Sequence, residues 1–372
     1  LNNDFAPLFQ PFPFGRITLP NRIVMAPMTR RQSPHGVPGE NVTAYYRRRA
    51  AGGVGLIITE GTTIDHQGAP GHASVPAFHG EAALAGWRRV VTAVHDAGGA
   101  IIPQIWHVGM RRRPGIEPDP DVGGFGPMDI VEDGKLVVKA MTQADIDAIV
   151  AAYAKAAADA EACGFDGVEI HGAHEYLPDA FFWEQTNRRT DCYGGSLENR
   201  VRFAMEVVRA VRAAVSKNFP VVFRFSQWKL SDYTARIATT PDELGRILRP
   251  LAAAGVDLFH ASTRRFWEPA FEGSPLTLAA WTRELTGKPV IAVGSIGLDR
   301  AFVPGIPTEA DKPGAELSNL VELSRGIARG EFDLAAVGRA LLSEPDWANK
   351  LRDGREGEIR PFERAALESL VV

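Results

Sequence analysis

Side chains able to do chemistry gather at the ends of short apolar runs in this chain. The run Ile23–Ala26 leads into Pro27-Met28-Thr29-Arg30, and the run Ala100–Trp106 carries Gln104 and Trp106 just ahead of His107. A third, Gly167–His171, continues as Gly172-Ala173-His174-Glu175-Tyr176, and a fourth, Val221–Ser226, contains Arg224. Among them are a hydroxyl, an amide, an indole, imidazoles, a phenol and guanidinium groups. No single one is diagnostic; the set suits polarising and protonating a small molecule. N–H donors hold negative charge that develops on oxygen, a phenol gives up a proton, and a fixed cation stabilises an anion. His171 and His174 stand at i and i+3. As zinc ligands they would need a third partner, and no nearby Asp or His offers one at metal spacing. A structural pair, or two donors aimed at one ligand oxygen, are the other readings.

The elements that must carry these residues repeat. Strands are expected at 23–26, 54–59, 100–106, 167–171, 221–226, 258–262, 290–293 and 334–337. Helical patterns lie between them, near 41–51, 81–97, 142–163, 197–215, 241–254, 277–285, 316–329 and 345–351. The runs are continuously apolar, as in a parallel sheet buried on both faces. Strict βα alternation repeated eight times predicts an α/β fold, a single (β/α)8 TIM barrel over residues 1–372, more than an open sheet. Helix punctuation agrees: Thr142 precedes Asp145 by three, Thr240 precedes Pro241, and Gly98, Gly164 and Gly255 follow helix ends. A Pro-, Gly- and Asp-rich excursion over 108–141, ending in a hairpin-like 130–137, reads as a capping subdomain after strand three. Residues 229–237 follow strand five on the same face, and 302–315, with three prolines, read as a solvent loop.

Barrels commonly grip phosphate with the loops after strands seven and eight. Here strand seven runs into Gly294-Ser295 and strand eight into Gly338-Arg339, close-approach glycines plus a cation. Tight-turn glycines are the plainer alternative. The dinucleotide fingerprint GxGxxG is absent, since no third glycine follows Gly124-Phe125-Gly126.

Composition excludes several classes. The 372 residues carry a formal charge of −4, with 45% hydrophobic and 23% charged residues, an ordinary globular balance. That charge argues against nucleic acid as the main partner, and no Lys/Arg block suggests a membrane surface. No apolar run approaches the ~20 residues of a membrane span. The start Leu1-Asn2-Asn3-Asp4 shows no signal peptide, and two cysteines, Cys163 and Cys192, make no disulfide framework. A cytoplasmic enzyme acting on small molecules is expected, with homo-oligomerisation left open.

Six stretches together resemble the old yellow enzyme family of FMN-dependent ene-reductases, which includes the 12-oxophytodienoate reductases. They are Pro20–Thr29, Thr59-Glu60-Gly61, Gln104–His107, His171–Leu177, Asn187–Arg200 and Val337–Ala340, in the family's order along nearly the whole chain. The segment Thr190-Asp191-Cys192-Tyr193-Gly194-Gly195-Ser196-Leu197-Glu198-Asn199-Arg200 is the most specific. The resemblance implies a non-covalent FMN reduced by NAD(P)H. It implies Thr29, with Pro27, Met28 and Gly61, beside the flavin; Gln104 on its pyrimidine edge; Arg224 near N1/C2=O; and Gly294, Ser295, Gly338 and Arg339 on its phosphate. Thr29 stands where part of the family has Cys. His171 and His174, the His/His branch, would donate to a substrate oxygen, and Tyr176 would protonate the α-carbon after hydride reaches the β-carbon of an enone, nitroalkene or maleimide. A phenol with an ordinary pKa near ~10 stays protonated at neutral pH.

Trp106 would wall the pocket, with a core aromatic as the competing reading; His107, Trp228, Phe266 and Trp267 are weaker candidates. Tyr45 and Tyr46 read as packing residues, and His35 as an exposed or entrance residue. Two departures stand out. Glu175 occupies a place where Gly is common; a non-glycine there should limit positive φ, and its carboxylate either lies near His174 and raises that pKa or, the favoured reading, points away. The tail 361–372 lacks a Tyr-rich ending, which puts any site residue from it in doubt. The alternatives are an oxidative N-demethylase of a methylated amine on the same barrel, and a non-catalytic flavin-binding protein. An iron–sulfur variant is disfavoured by the cysteine count.

Overall fold

The computed structural model describes residues 3–298 and 318–370, and all that follows concerns those residues. The loop expected at 302–315 lies outside them. Eight strands form a closed barrel: β1 (Ile23–Met25), β2 (Leu56–Thr63), β3 (Ala100–Trp106), β4 (Val168–His174), β5 (Val221–Lys229), β6 (Leu258–Ser262), β7 (Val290–Val293) and β8 (Leu334–Val337). Each pairs in parallel with its neighbours in sequence, and β8 closes on β1. The connecting helices are α1 (Glu40–Ala51), α2 (Glu81–Asp96), α3 (Gln143–Ala162), α4 (Leu197–Ala214), α5 (Pro241–Ala254), α6 (Leu278–Thr286), α7 (Ser318–Ala328) and α8 (Trp347–Arg352).

Three strands outrun their expected ends. β2 continues to Thr63, β4 to His174 and β5 to Lys229, and register shifts fall between Ile58 and Gly61 and between Phe225 and Lys229. The apolar run stops where side chains turn from packed interior to open cavity, but the backbone ladder does not need apolar side chains to continue. Those extra residues include Gly61, His174 and Trp228, which line the cavity at the strand ends.

Strand alternation sorts the interior by depth. Inward residues at the strand starts, among them Val24, Leu56, Ile58, Ile102, Val222, Leu258, Ile291 and Leu334, form one apolar cluster. The antiparallel hairpin Phe12–Phe14/Ile17–Leu19 closes that end of the barrel with Phe12, Phe14 and Leu19. Two residues further along the same strands the inward positions turn polar: Gln104, Arg224 and His260 follow Ile102, Val222 and Leu258, and all three are buried. A separate, larger cluster fills the space between strands and helices, and holds Tyr45, Tyr46, Trp87 and Trp347. Tyr45 and Tyr46 therefore pack, as expected.

Local chemistry fixes the helix starts. Thr142 and Asp145 form a reciprocal capping box at α3, and Ser196, Thr240 and Thr277 each accept an amide N–H three residues on. Each cap is worth about 1 kcal/mol. After β3 the chain forms a three-stranded sheet from Gly124–Gly126, Ile130–Glu132 and Lys135–Ala140, with the last strand in the middle. Buried Arg112 pins this excursion by donating to the carbonyls of Pro70, Ile116, Asp119 and Val122.

Candidate active site

The strand C-termini enclose a cavity of about 410 Å³, a size suited to a cofactor or small ligand. Its wall includes every residue singled out for chemistry: Pro27, Met28, Thr29, Gly61, Gln104, Trp106, His171, His174, Tyr176, Arg224, Gly294, Ser295, Gly338 and Arg339. Of the weaker candidates, Trp228 lines it, whereas His107, Phe266 and Trp267 do not. His107 instead pairs with His66, its Nε2 3.0 Å from Nδ1 of that ring. His35 borders a different cavity, with His66, His72 and His79.

The floor is a polar lattice that the strand pattern brings together. Gln104 donates Nε2–H to Glu169 Oε1 at 2.7 Å, and the other Glu169 oxygen meets His260 Nδ1 at 2.7 Å. Glu169 and His260 are fully buried. Sequence reading gave neither residue a role, although their inward parity with His171 and Ser262 on the same strands was the available signal. Arg224 is buried near this carboxylate, with its Nε unpartnered and Nη2 3.4 Å from Ser262 Oγ. Burial lowers its pKa from the usual value, and the Glu169 charge works against that loss. Gln104 is thus already engaged on one side, which fixes the face its amide presents to the cavity.

Backbone geometry shapes two walls. Gly294 stands at φ +149, and a Cβ there would lie 2.6 Å from Thr263 Oγ1. Ser295 follows at φ 51, and its hydroxyl donates to Arg264 O. A Cβ on Gly61 would meet the Trp106 ring at 2.4 Å, so that glycine lets the indole lie flat against β2. The Thr29 loop is held from below by buried Glu60, whose Oε2 accepts the amides of Arg30 and Arg31 at 2.8 and 3.1 Å. Burial pushes the Glu60 carboxyl up to about 7, against the pull of those two amides. Glu60 stood in a recognised stretch without a role; its task of orienting Thr29 needed the loop geometry to appear. The tail also reaches the site. Arg30 donates to Ala366 O and Ser369 O, both at 2.7 Å, and Leu367 lines the cavity.

At the mouth, His171, His174 and Tyr176 face one another, with ring centroids 5.3 Å apart for the two imidazoles and 4.7 Å for His171 and Tyr176. Trp106 meets Tyr176 edge-on at 4.9 Å. It is 5% exposed with Nε1 unpartnered, so wall and core readings of Trp106 merge. Burial first, then the Arg224 charge, holds both imidazoles well below the usual histidine value, so both are neutral at pH 7. Burial raises the Tyr176 phenol, with Arg111, Arg224 and Arg31 opposing, so it keeps its proton. The arrangement therefore presents neutral donors and a protonated acid above a buried cation.

The expectation that Glu175 would avoid positive φ fails: His174 and Glu175 stand at φ 63 and 70. A buried ion pair holds them there. Asp179 Oδ2 accepts the Glu175 amide at 2.6 Å, and both Asp179 oxygens lie 2.7 Å from Lys229 Nζ. The Glu175 carboxylate turns away from His174, to the Ser231 hydroxyl at 2.6 Å and toward Arg111 at 3.6 Å. No group of His, Cys, Asp and Glu among the described residues could hold a metal ion, and no helix there is long and apolar enough to cross a membrane.

Comparison with known proteins completes the picture. Residues 7–303 match the model of the NADH:flavin oxidoreductase / NADH oxidase family. The chain is 34% identical over 365 residues to an NADH oxidase of Thermoanaerobacter brockii, covering 96% of this chain and 52% of that protein. It thus spans about half the length of that relative. A morphinone reductase solved with tetrahydroNAD superposes with a TM-score of 0.79 at 30% identity, covering 97% of this chain and 93% of the other. An old yellow enzyme homologue from Zymomonas mobilis gives 0.78 at 25% identity, covering 98% and 97%.

Proposed function

Because the chain belongs to the NADH:flavin oxidoreductase family, the old yellow enzymes, we propose that it reduces activated alkenes of small molecules with electrons from NAD(P)H. The cavity fits FMN: a buried guanidinium with an unpartnered Nε, a buried amide anchored on one side, and a Gly294 position that admits no Cβ. Gly294, Ser295, Gly338 and Arg339 would hold its phosphate; Gln104 and Arg224 its pyrimidine side; Pro27, Met28, Thr29 and Gly61 the rest of the ring system. When bound, FMN supplies hydride from NAD(P)H to the β-carbon of the alkene.

The chain's own residues do the rest. His171 and His174 each bring one N–H to the substrate oxygen, draw electron density from the C=C bond and hold the enolate charge. Tyr176 Oη–H donates its proton to the α-carbon. Arg224 stabilises negative charge below it. Trp106 and Trp228 exclude water and confine the substrate, and the excursion after β3 caps the mouth. This reading has a cytoplasmic enzyme work on enones, nitroalkenes or maleimides. The observation that carries it is the convergence of two neutral imidazoles and one protonated phenol within 6.5 Å of one another.

The test separates the half-reactions. Tyr176→Phe should leave anaerobic cofactor reduction by NAD(P)H within a few-fold. Enone reduction should fall about 10²–10⁴-fold, the usual share of a positioned acid. Quinones should be spared, since their oxygens take protons from solvent. Equal losses with enone and quinone would make Tyr176 a structural residue and overturn the reading.

A further inference from the structure

We infer that Ser262 sets the tautomer of His174, so that the two histidines present different ring nitrogens to the ligand oxygen: Nε2–H from His171 and Nδ1–H from His174. The inference deepens the reading above and rests on it for the ligand, though not for the tautomer itself.

A neutral imidazole carries one N–H, and the partner of one nitrogen decides where it sits. Both rings are neutral here because burial and the Arg224 charge disfavour their protonation. In His171, Nδ1 accepts the Ala173 amide N–H at 3.4 Å. Its proton is therefore on Nε2, for which the described residues offer no partner. In His174, Nε2 lies 2.8 Å from Ser262 Oγ. That contact alone allows either direction of donation. Arg224 resolves it: Nη2 can only donate, and it approaches Ser262 Oγ at 3.4 Å, so the oxygen's lone pairs face the guanidinium. The described residues offer the Ser262 proton no acceptor other than His174 Nε2. Serine then donates, Nε2 accepts, and the His174 proton is left on Nδ1.

The ring cannot turn over freely to undo this. Trp228 stacks on it at 4.2 Å and 26°. Its backbone amide is fixed on Ser226 Oγ at 3.0 Å, and that hydroxyl in turn donates to Trp228 O. Without the serine, imidazole's intrinsic preference favours Nε2–H, and Nδ1 would present a lone pair to the ligand oxygen. Ser262 is thus a positioning residue acting through His174.

The test uses the flavin-loaded enzyme with ¹⁵N-labelled histidine. Long-range ¹H–¹⁵N correlation at neutral pH should find His174 protonated on Nδ1 and His171 on Nε2. Ser262→Ala should move the His174 proton to Nε2 and weaken binding of a phenol probe about tenfold, the loss of one charge-assisted donor. Ser262→Thr, which keeps the hydroxyl, should restore both spectrum and affinity. A wild-type His174 protonated on Nε2 overturns the inference, even if no variant folds. So does a Ser262→Ala spectrum unchanged at His174. Failure of the phenol to bind the wild type, with tautomers as stated, would refute the oxygen site of the preceding subsection and leave the tautomer assignment standing.

Discussion

Asp179→Asn should cost about 3–5 kcal/mol of stability, because it strands a buried charge. Lys229 and Asp179 are both 0% exposed, and the Lys229 ammonium lies 2.7 Å from each carboxylate oxygen. At that distance the attraction is about 6 kcal/mol with an effective dielectric near 20. Most of it offsets the desolvation of the two ions, so the intact pair contributes little net. Removing one partner uncovers the penalty of the other. The double variant Asp179→Asn/Lys229→Met should therefore be more stable than the sum of the singles by several kcal/mol. The same carboxylate also accepts the Glu175 amide and holds His174 and Glu175 in left-handed conformations that cost about 1–2 kcal/mol each. Asparagine keeps an acceptor there and alanine does not. Asp179→Ala should thus weaken phenol binding about tenfold, while Asp179→Asn, folded at low temperature, should keep most of it. Urea unfolding and phenol titration read the two effects separately. Additive losses in the double variant, or equal phenol affinities in the Asn and Ala variants, would refute the reasoning.

Other outcomes follow from the same geometry. The Glu60 carboxyl is raised to about 7, so the folded state binds more protons than the unfolded chain between about pH 4.5 and 7. Its contribution is complete below the unfolded pKa and is lost as pH rises to about 7; Glu60→Gln should flatten that fall in a urea-denaturation pH series. Gly294→Ala places a methyl 2.6 Å from Thr263 Oγ1 and should strip the enzyme of FMN on gel filtration, with a yellow wild type as control. Acid precipitation of the wild type should leave the colour in the supernatant. Glu175→Gly trades the Ser231 bond for relief at φ 70 and should change stability by under about 1 kcal/mol, with the pH profile of alkene reduction unmoved.

The barrel was legible because eight apolar runs, with their caps and glycines, state the βα rhythm directly. Strand ends were not, because β2, β4 and β5 finish in residues that no longer continue the apolar run. The residues at those ends could still be named, since motif and strand position agreed on them. What stayed hidden were contacts between strands. Glu169 reads as one acid in an apolar run until Gln104 and His260 close on it from both sides. Ser262 reads only as the last residue of a strand until His174 lies against it. The tail offered no motif at all, and only contacts in the folded chain, Arg30 to Ala366 and Ser369 and Leu367 on the cavity wall, reveal that it borders the site.

The hairpin that plugs the barrel has a consequence for biosynthesis. Phe12 and Phe14 are made well before Val222, Leu258, Ile291 and Leu334, the residues their burial needs. Arg22 reaches Asp333 O, and Arg30 reaches Ser369 O, across more than three hundred residues. That apolar surface must therefore wait, uncovered, until strands more than two hundred residues later have been made. Closure by such distant pairings is slow, and the waiting intermediate is the aggregation-prone one. Yield in a foreign host should then depend on chaperone supply and low temperature far more than on the stability of the finished barrel.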